Sequence, residues 1–373
     1  MNKFRKNGYV ILIINLLFSA IVFSSEIELL QDINIIHDDH INQIGLIQHQ
    51  YKQSMDILDY KSHYAQTKLN EASTESFFIS HVLKNRFRLS AELGQSSNQI
   101  QRNIYPYEIN TNSDNYSVSI GSSLIENKSY NISFEIFQNS EKQDSLNIDC
   151  YQFGSQIIGG SCAEAEIRFI DAEQYRKTGV KSYNPILRIE GKSKELGITI
   201  RVKDVIQKNF MINHSLRLSR AKIHINYISD LLDTTDNFIL GSRVGSSSIE
   251  EIINNFKTQL PQKDPWHENQ LRYTLSILYK INNSFTFTTQ LGALRVSRSN
   301  YIKSPYQKDL NSNITANLSL NYRFSETITA YGMLALSNHY LLGLKPLSYN
   351  RKSVSFFDHP YGELHMGIVF NIK

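Results

Sequence analysis

The sequence predicts an all-β fold, namely a transmembrane, antiparallel, up-and-down β-barrel of about 14 strands behind a short N-terminal α-helical segment. Three observations predict it. Apolar and polar residues alternate with a period of two from about residue 77 onward, short and long connections alternate between these segments, and no apolar run after the first 24 residues is long enough for a spanning helix. Since only helices and closed barrels satisfy the backbone in lipid, a membrane location requires a barrel.

The alternation is clearest in the C-terminal third of the chain. In 314–324, Ile, Ala, Leu and aromatic residues alternate with Thr, Asn, Ser and Arg, and 271–280 repeats the pattern. Charged and amide side chains on one face exclude a dry core, because burying such groups without partners is costly. We therefore expect the polar face to line a wet lumen and the apolar face to contact lipid.

The connections differ in length on the two sides of the predicted barrel. Asn282-Asn283 and Ser325-Glu326 are typical of tight turns, whereas 230–268, 299–311 and 343–358 are long and polar. This alternation is typical of short periplasmic turns and longer extracellular loops. The strand count includes 145–158 and 236–243, where the alternation is weakest.

The first 24 residues are predicted to be a signal peptide. Lys3, Arg5 and Lys6 precede an apolar stretch over 9–23, and small residues allow cleavage after Ser24. A retained membrane anchor is the alternative, but the stretch is shorter than the roughly 20 residues that span a bilayer. No Cys follows the cleavage position, which argues against a lipoprotein.

Residues 25–76 are predicted to form a periplasmic helical segment or a lumenal plug, with the barrel occupying 77–373. Apolar residues recur there at steps of three and four, which is a helical period, at Ile44, Ile47, Tyr51, Met55 and Leu58. The boundary is placed at the polar stretch 73–76.

Cys150 and Cys162 are predicted to form a disulfide, since an exported protein meets an oxidising environment. No metal or cofactor is expected. His37-Asp38-Asp39-His40 has metal-ligand residue types, but its spacing matches no closed site and favours a solvated polar cluster. The formal net charge of +4 includes the basic residues of the signal peptide, so nucleic acid is not an expected partner.

Charged residues on the polar face are candidates for lining the lumen and setting its selectivity, because rings of like charge select ions in pores. Arginine is the more frequent charge, which gives the hypothesis of a weak anion preference. The candidates are Arg86, Arg88, Glu92, Glu135, Arg201, Arg272 and Arg323, and the same pattern includes Arg188, Arg217 and Arg295.

Ser337 and His339 fall on the inward face late in one segment. A serine nucleophile needs a base and an orienting third group, and no third group is evident. We therefore predict no enzyme activity, with an outer-membrane lipid-modifying enzyme as an alternative.

The C-terminal residues 365–373 continue a strand pattern to the end of the chain, with Leu364, Met366, Ile368, Phe370 and Ile372 on one face. The spacing of Gly367, Phe370 and Ile372 resembles the terminal signal by which Gram-negative outer-membrane β-barrels are recognised for insertion, although Lys373 follows it. The resemblance implies a bacterial outer-membrane location, with outer-membrane lipids and the barrel-assembly machinery as partners.

A second resemblance concerns the strand at 87–98, followed late in the chain by 343–346, Tyr349, Arg351, Ser353, Tyr361 and Gly367. Over 77–373 this layout resembles the barrel region of the surface lipoprotein assembly modifiers, which implies a lipoprotein assembly or export factor as an alternative. The leading prediction is a polar, loop-gated passage, a porin-like channel or export pore, for an unknown solute or exported cargo.

Overall fold

The structure is a computed structural model that describes residues 42–52, 67–83, 87–102, 108–127, 129–148, 151–153, 156–158, 169–171, 187–228, 238–240, 265–301, 311–338 and 361–372. Several predicted features lie outside these residues: the signal peptide 1–24, the His37-to-His40 cluster, Arg86, both cysteines and His339. No helix in the described ranges is long and apolar enough to cross a membrane.

Twelve strands form one closed antiparallel barrel. Each strand pairs with the barrel strand that precedes and follows it in the chain, and the first strand pairs with the last. The predicted up-and-down topology is therefore confirmed. The strands are β1 Asn42–Lys52, β2 Thr67–Leu83, β3 Phe87–Arg102, β4 Glu108–Glu126, β5 Tyr130–Ile148, β9 Leu187–Gln207, β10 Phe210–Ile228, β12 Trp266–Lys280, β13 Phe285–Ser299, β14 Ser312–Arg323, β15 Ile328–Ser337 and β16 Tyr361–Ile372.

The prediction of about 14 strands is wrong, because the barrel has 12, and neither 151–158 nor 236–243 contributes a barrel strand. Around 151–158 the short strands β6 Tyr151–Phe153 and β7 Gln156–Ile158 pair only with each other. In 236–243, β11 Phe238–Leu240 pairs with β8 Phe169–Asp171. Three-residue strands are too short to cross a bilayer, which takes about 9–11 residues.

The predicted N-terminal helix is also wrong where the structure describes it. β1 lies in that segment and closes the barrel by pairing with β16 on one side and β2 on the other. The helical period arises because Ile47 is apolar yet faces the lumen, where it packs in an apolar cluster. Apolar residues therefore occur on both faces of β1 and hide the period of two. The barrel strands begin at Asn42, not at residue 77.

The predicted tight turns at Asn282-Asn283 and Ser325-Glu326 are confirmed as the connections of β12 to β13 and of β14 to β15. The side-chain Oδ1 of Asn282 accepts hydrogen bonds from the backbone N–H of Ser284 and Phe285, each at 2.8 Å. Asn127 makes the same arrangement before β5. An Asn that accepts backbone bonds in this way stabilises a short hairpin turn.

Long connections lie on the opposite side of the barrel from these turns. They join β1 to β2, β5 to β9, β10 to β12, β13 to β14 and β15 to β16. The start of β1 and the end of β16 lie on the short-turn side, since Asn42 pairs with Ile372. This asymmetry is the one found in outer-membrane barrels, whose short turns are periplasmic.

Three lumenal aromatic rings each lie across a glycine on the neighbouring strand. The pairs in register are Gly45 with Phe78, Phe137 with Gly197, and Tyr331 with Gly367. In each pair a Cβ added to the glycine would overlap the ring. The absence of a side chain thus lets the ring occupy the space over the glycine, an arrangement that pins strand register.

Candidate functional site: the lumen wall and the outer surface

The polar face of the strands points into the barrel. In β3, Arg88, Ser90 and Glu92 are buried, whereas Phe87 and Leu93 are about half exposed. The same alternation continues in β9 and β10, where buried polar residues alternate with exposed apolar ones. Inward side chains form hydrogen bonds across strands. Thr74 Oγ1 lies 3.0 Å from Ser96 Oγ, and Asn115 Nδ2 donates to the same Ser96 oxygen at 2.6 Å. The lumen is therefore lined by polar groups.

An ion-paired cluster connects three strands of this lumen. Arg88 on β3, Gly121 on β4 and Glu135 on β5 are consecutive in register. Arg201 Nη1 lies 2.5 Å from Glu135 Oε2, and Arg88 Nη2 lies 3.8 Å from the same oxygen. Gly121 has no side chain to block Arg88, whose Nη2 passes over it. Glu135 is thus shared between two guanidinium groups.

A second cluster involves β5, β9, β10 and β12. Glu195 accepts a hydrogen bond from Arg217 Nη2 at 2.9 Å and from Asn139 Nδ2 at 2.8 Å. The guanidinium carbon of Arg217 also lies 3.8 Å from the ring centroid of Phe137. Arg217 stands directly opposite Arg272 in register. The carboxylate and the aromatic face therefore stabilise an arginine that has a like charge beside it.

These residues form what we name the charged wall: Arg88, Glu135, Glu195, Arg201, Arg217 and Arg272. Four arginines and two glutamates give it a formal charge of +2. It is not a ring of like charge, because each glutamate is paired with arginine. The excess positive charge lies toward Arg217 and Arg272, where two arginines face each other.

The lumen opposite the charged wall contains an apolar cluster beside polar groups such as Glu363 and His365. Ile47, Phe78, Tyr331, Met333 and Val369 form one buried cluster on β1, β2, β15 and β16. In the strand order these strands lie across the barrel from β5, β9 and β10. The residues of this cluster are at most 4% exposed, so in this structure its surface does not line open water.

The sequence-predicted candidates occupy different places. Arg88, Glu92, Glu135 and Arg201 are buried on the lumen face, and Arg272 is half-buried there. Arg323 is exposed at the end of β14, beside the short turn to β15. The structure brings Arg88, Glu135 and Arg201 together in one ion-paired group.

Sequence reasoning did not single out Glu195 or Asn139. Their place on the lumen face follows from the period of two, because Gly197 and Thr199 on β9, and Glu135 and Phe137 on β5, are also buried. That Glu195 and Asn139 bond to each other depends on the register of β5 against β9, which the sequence pattern does not give. Arg295, by contrast, is exposed on the outer face of β13.

The outer surface carries a continuous apolar belt. Large apolar side chains that alternate with the lumen residues are exposed on many strands, with Leu196 at 59% and Ile314 at 63%. Other members are Ile136, Ile200, Leu216, Leu218, Leu271, Leu291, Leu318, Leu320, Met366 and Ile368. Monomeric soluble proteins rarely expose apolar patches of this extent, whereas a barrel in lipid must do so.

Aromatic residues border the belt on the short-turn side. Phe87, Tyr130, Tyr279, Phe324 and Phe370 are exposed at the strand ends there. Tyr322 packs between Phe285 and Phe324, with ring centroids 4.6 and 4.5 Å away. Aromatic girdles of this kind lie at the interface between hydrocarbon and water.

The chain is an integral β-barrel of the bacterial outer membrane. The closed sheet, the polar lumen and the exposed apolar belt together fit no other environment, since the belt requires lipid and the closed sheet satisfies every strand edge.

Solved structures similar to the chain include porins and autotransporter domains. The translocator domain of the autotransporter NalP from Neisseria meningitidis has 10% identity over 89% of this chain and 88% of that chain, with a TM-score of 0.49. The β domain of the Bordetella autotransporter BrkA has 7% identity over 90% and 100%, with a TM-score of 0.46. The NanC porin has 10% identity over 89% and 100%, with a TM-score of 0.42.

No protein-family model and no curated protein sequence matches the chain. The resemblance to surface lipoprotein assembly modifiers therefore gains no support from these comparisons. Of the pair considered for catalysis, Ser337 is buried on the lumen face at the end of β15, and its suggested base His339 is outside the described residues.

Proposed function

We propose that the protein forms a polar, loop-gated passage through the outer membrane, acting as a channel or export pore. The observation that carries the proposal is the charged wall, a group of hydrogen-bonded ionic side chains inside a closed barrel of 12 strands. Buried charges are costly and a purely structural barrel does not need them. A lumen that admits water and polar solutes, by contrast, needs charged side chains on its wall.

The closed lumen supports gating. The charged wall is largely buried and the apolar cluster opposite it is covered, so transport requires movement of what covers them. A barrel of this size lies between narrow eight-stranded barrels filled by side chains and wide porins of 16 strands or more. The strand ends that the long connections join all lie at one rim, and we expect these connections to control entry from the outside.

The charge of the wall supports a weak anion preference. Its formal excess of two positive charges is concentrated at Arg217 and Arg272, which face each other across β10 and β12. Charged groups that line a narrow lumen attract counter-ions and repel ions of their own sign. At the charged wall itself an anion is therefore favoured over a cation of the same size, and the buried carboxylates Glu92, Glu141 and Glu363 elsewhere on the lumen face keep that preference weak.

Planar-bilayer recording of the refolded full chain tests both parts of the proposal. We expect discrete current steps and a reversal potential that indicates a modest preference for chloride over potassium. Arg272→Gln should reduce that preference, because it removes one lumenal positive charge. The matched control Arg295→Gln removes the same charge from the outer face and should leave selectivity unchanged.

Two results would contradict the proposal. The absence of current steps from correctly folded protein, including after the connection between β15 and β16 is shortened, would contradict a passage. A preference for cations in the native chain would contradict the selectivity while leaving the passage intact.

A further inference from the structure

A basic patch lies on the outer surface of β9 and β10. It consists of Lys192, Lys194, Arg220 and Lys222, all of which are exposed. Lys194 stands directly opposite Lys222 in register, and Lys192 stands opposite His224. The side chains of this patch therefore point outward together, over an area two strands wide.

The described neighbours of the four basic side chains do not neutralise their charge. Like charges directly opposite on neighbouring strands are destabilising. Within the described residues, none of the four basic side chains forms an ion pair. Among the side chains that the structure describes, the nearest outward carboxylates in the sheet are Glu190, two residues before Lys192, and Asp114, which stands opposite Lys142 on β5. Lys142 in turn stands opposite Lys192, so the positive charge extends to a third strand.

The height of the patch is that of a lipid headgroup. Leu196 and Leu218 are exposed members of the apolar belt, and they lie beside the patch on the side of the membrane centre. Lys194 lies two residues before Leu196 on β9, which is about 7 Å along the strand. The patch lies on the side of the long connections, which is the outer leaflet in barrels of this kind. Basic residues directly above an apolar surface match an anionic lipid.

We propose that the basic patch binds the phosphate-bearing headgroup of a lipid in the outer leaflet, whose acyl chains lie on Leu196, Leu218 and Leu271. Charge complementarity selects the occupant, because phosphates supply a counter-charge that the described residues around the patch do not provide.

The outward residues in register with Lys142 on the other strands support a lipid site on one side of the barrel only. In register, Lys142 is followed by Asp114, Gln95, Glu75 and Gln48 around β4, β3, β2 and β1. That row of outward residues is acidic or neutral and therefore does not attract phosphate. The lipid is therefore held on one flank of the barrel. The site lies on the outer wall and does not depend on the proposed passage.

The test measures binding of phosphorylated lipid A to the full chain in neutral detergent, with Lys194→Gln/Lys222→Gln as the patch variant. Each basic residue near an anionic lipid surface contributes about 1 kcal/mol, so removing two should weaken binding roughly 30-fold. The control is Lys208→Gln/Lys280→Gln, which removes two exposed lysines beside the short turns at the other end of the barrel. It should bind like the native chain.

Two further arms identify the ligand. Dephosphorylated lipid A should bind the native chain and the patch variant equally weakly, and inorganic phosphate at millimolar concentration should not compete with the lipid. Unchanged lipid binding by the patch variant would overturn the proposal. Full competition by inorganic phosphate would also overturn it, because the site would then recognise free phosphate. Equal melting temperatures of the two variants establish that a loss of binding is not a loss of fold.

Discussion

At the scale of single residues, small side chains decide how the lumen is packed. Gly45, Gly197 and Gly367 each allow an aromatic ring from the adjacent strand to lie across them, and Gly121 lets Arg88 reach Glu135 across β4. Gly332 is different, because a Cβ added to it would meet nothing within 4 Å. The chain thus contains glycines that are required by close packing and one that is not.

This contrast gives a prediction about stability. Gly45→Val should lower the free energy of unfolding by about 1–3 kcal/mol, because the new side chain overlaps Phe78 in a packed lumen. Gly332→Val should have no comparable effect, since its side chain enters open space on the outer face. Urea unfolding in detergent micelles measures both. Equal destabilisation by the two substitutions would show that Phe78 does not pack across Gly45.

At the scale of elements, β1 is the strand that turns an open sheet into a barrel. Its partners are β16 and β2, so without it the sheet would have two free edges. Free edges are not tolerated in lipid, because their backbone groups would have no hydrogen-bond partners. The segment from which sequence periodicity predicted a helix is therefore essential to the closure of the fold.

Cross-linking tests the position of β1. Leu46 and Ile368 are partners in register on the outer face. Leu46→Cys/Ile368→Cys, in a background with Cys150→Ser and Cys162→Ser, should form an intramolecular disulfide on mild oxidation, because Cα atoms of paired strands lie within disulfide range. Alkylation followed by mass spectrometry counts the remaining thiols.

The control for this experiment is Leu46→Cys/Phe324→Cys in the same background. Phe324 is exposed on the same outer surface but lies beyond β14, which is separated from β1 by β15 and β16. The two cysteines of this control variant should stay reduced. Cross-linking of both pairs, or of neither, would contradict the register of β1 against β16.

β16 carries the residues predicted to form the barrel-insertion signal. Phe370 and Ile372 are exposed on the outer face at the short-turn end, and Gly367 faces the lumen under the ring of Tyr331. Gly367 therefore has a packing role in the folded barrel that is separate from recognition. The role of Phe370 and Ile372 in insertion stays a prediction.

At the scale of the whole molecule, the apolar belt determines the environment. Leu318 lies in the middle of β14 on the outer face and is 44% exposed. Ser297 is also exposed on the outer face, but it lies near the end of β13 on the side of the long connections. The two positions differ in depth while sharing an outward direction.

Arginine substitutions at these positions test the location of the belt. Leu318→Arg should destabilise the barrel folded in phosphatidylcholine vesicles by about 2–4 kcal/mol, because a charge at the bilayer midplane is poorly solvated. Ser297→Arg should cost about 0–1 kcal/mol near the interface. Equal effects would contradict the depth assigned to the belt.

The sequence by itself determined the fold class, the inward and outward faces of the clear strands, the tight turns at Asn282 and Ser325, and the strand nature of the C-terminus. These features are local, because a period of two and a turn-forming Asn act over a few residues. Where polar and apolar faces are distinct, parity alone assigns Arg88, Glu135 and Arg201 to the lumen.

Only the tertiary structure decided the strand number, the part played by β1 and the partners within the charged wall. Ile47 breaks the local pattern because its environment is an apolar cluster built by β2, β15 and β16, which lie far away in the sequence. The pairing of Glu195 with Arg217, and the basic patch formed by Lys194 opposite Lys222, depend on strand register. Register is a property of two strands together, and no single segment of the sequence contains it.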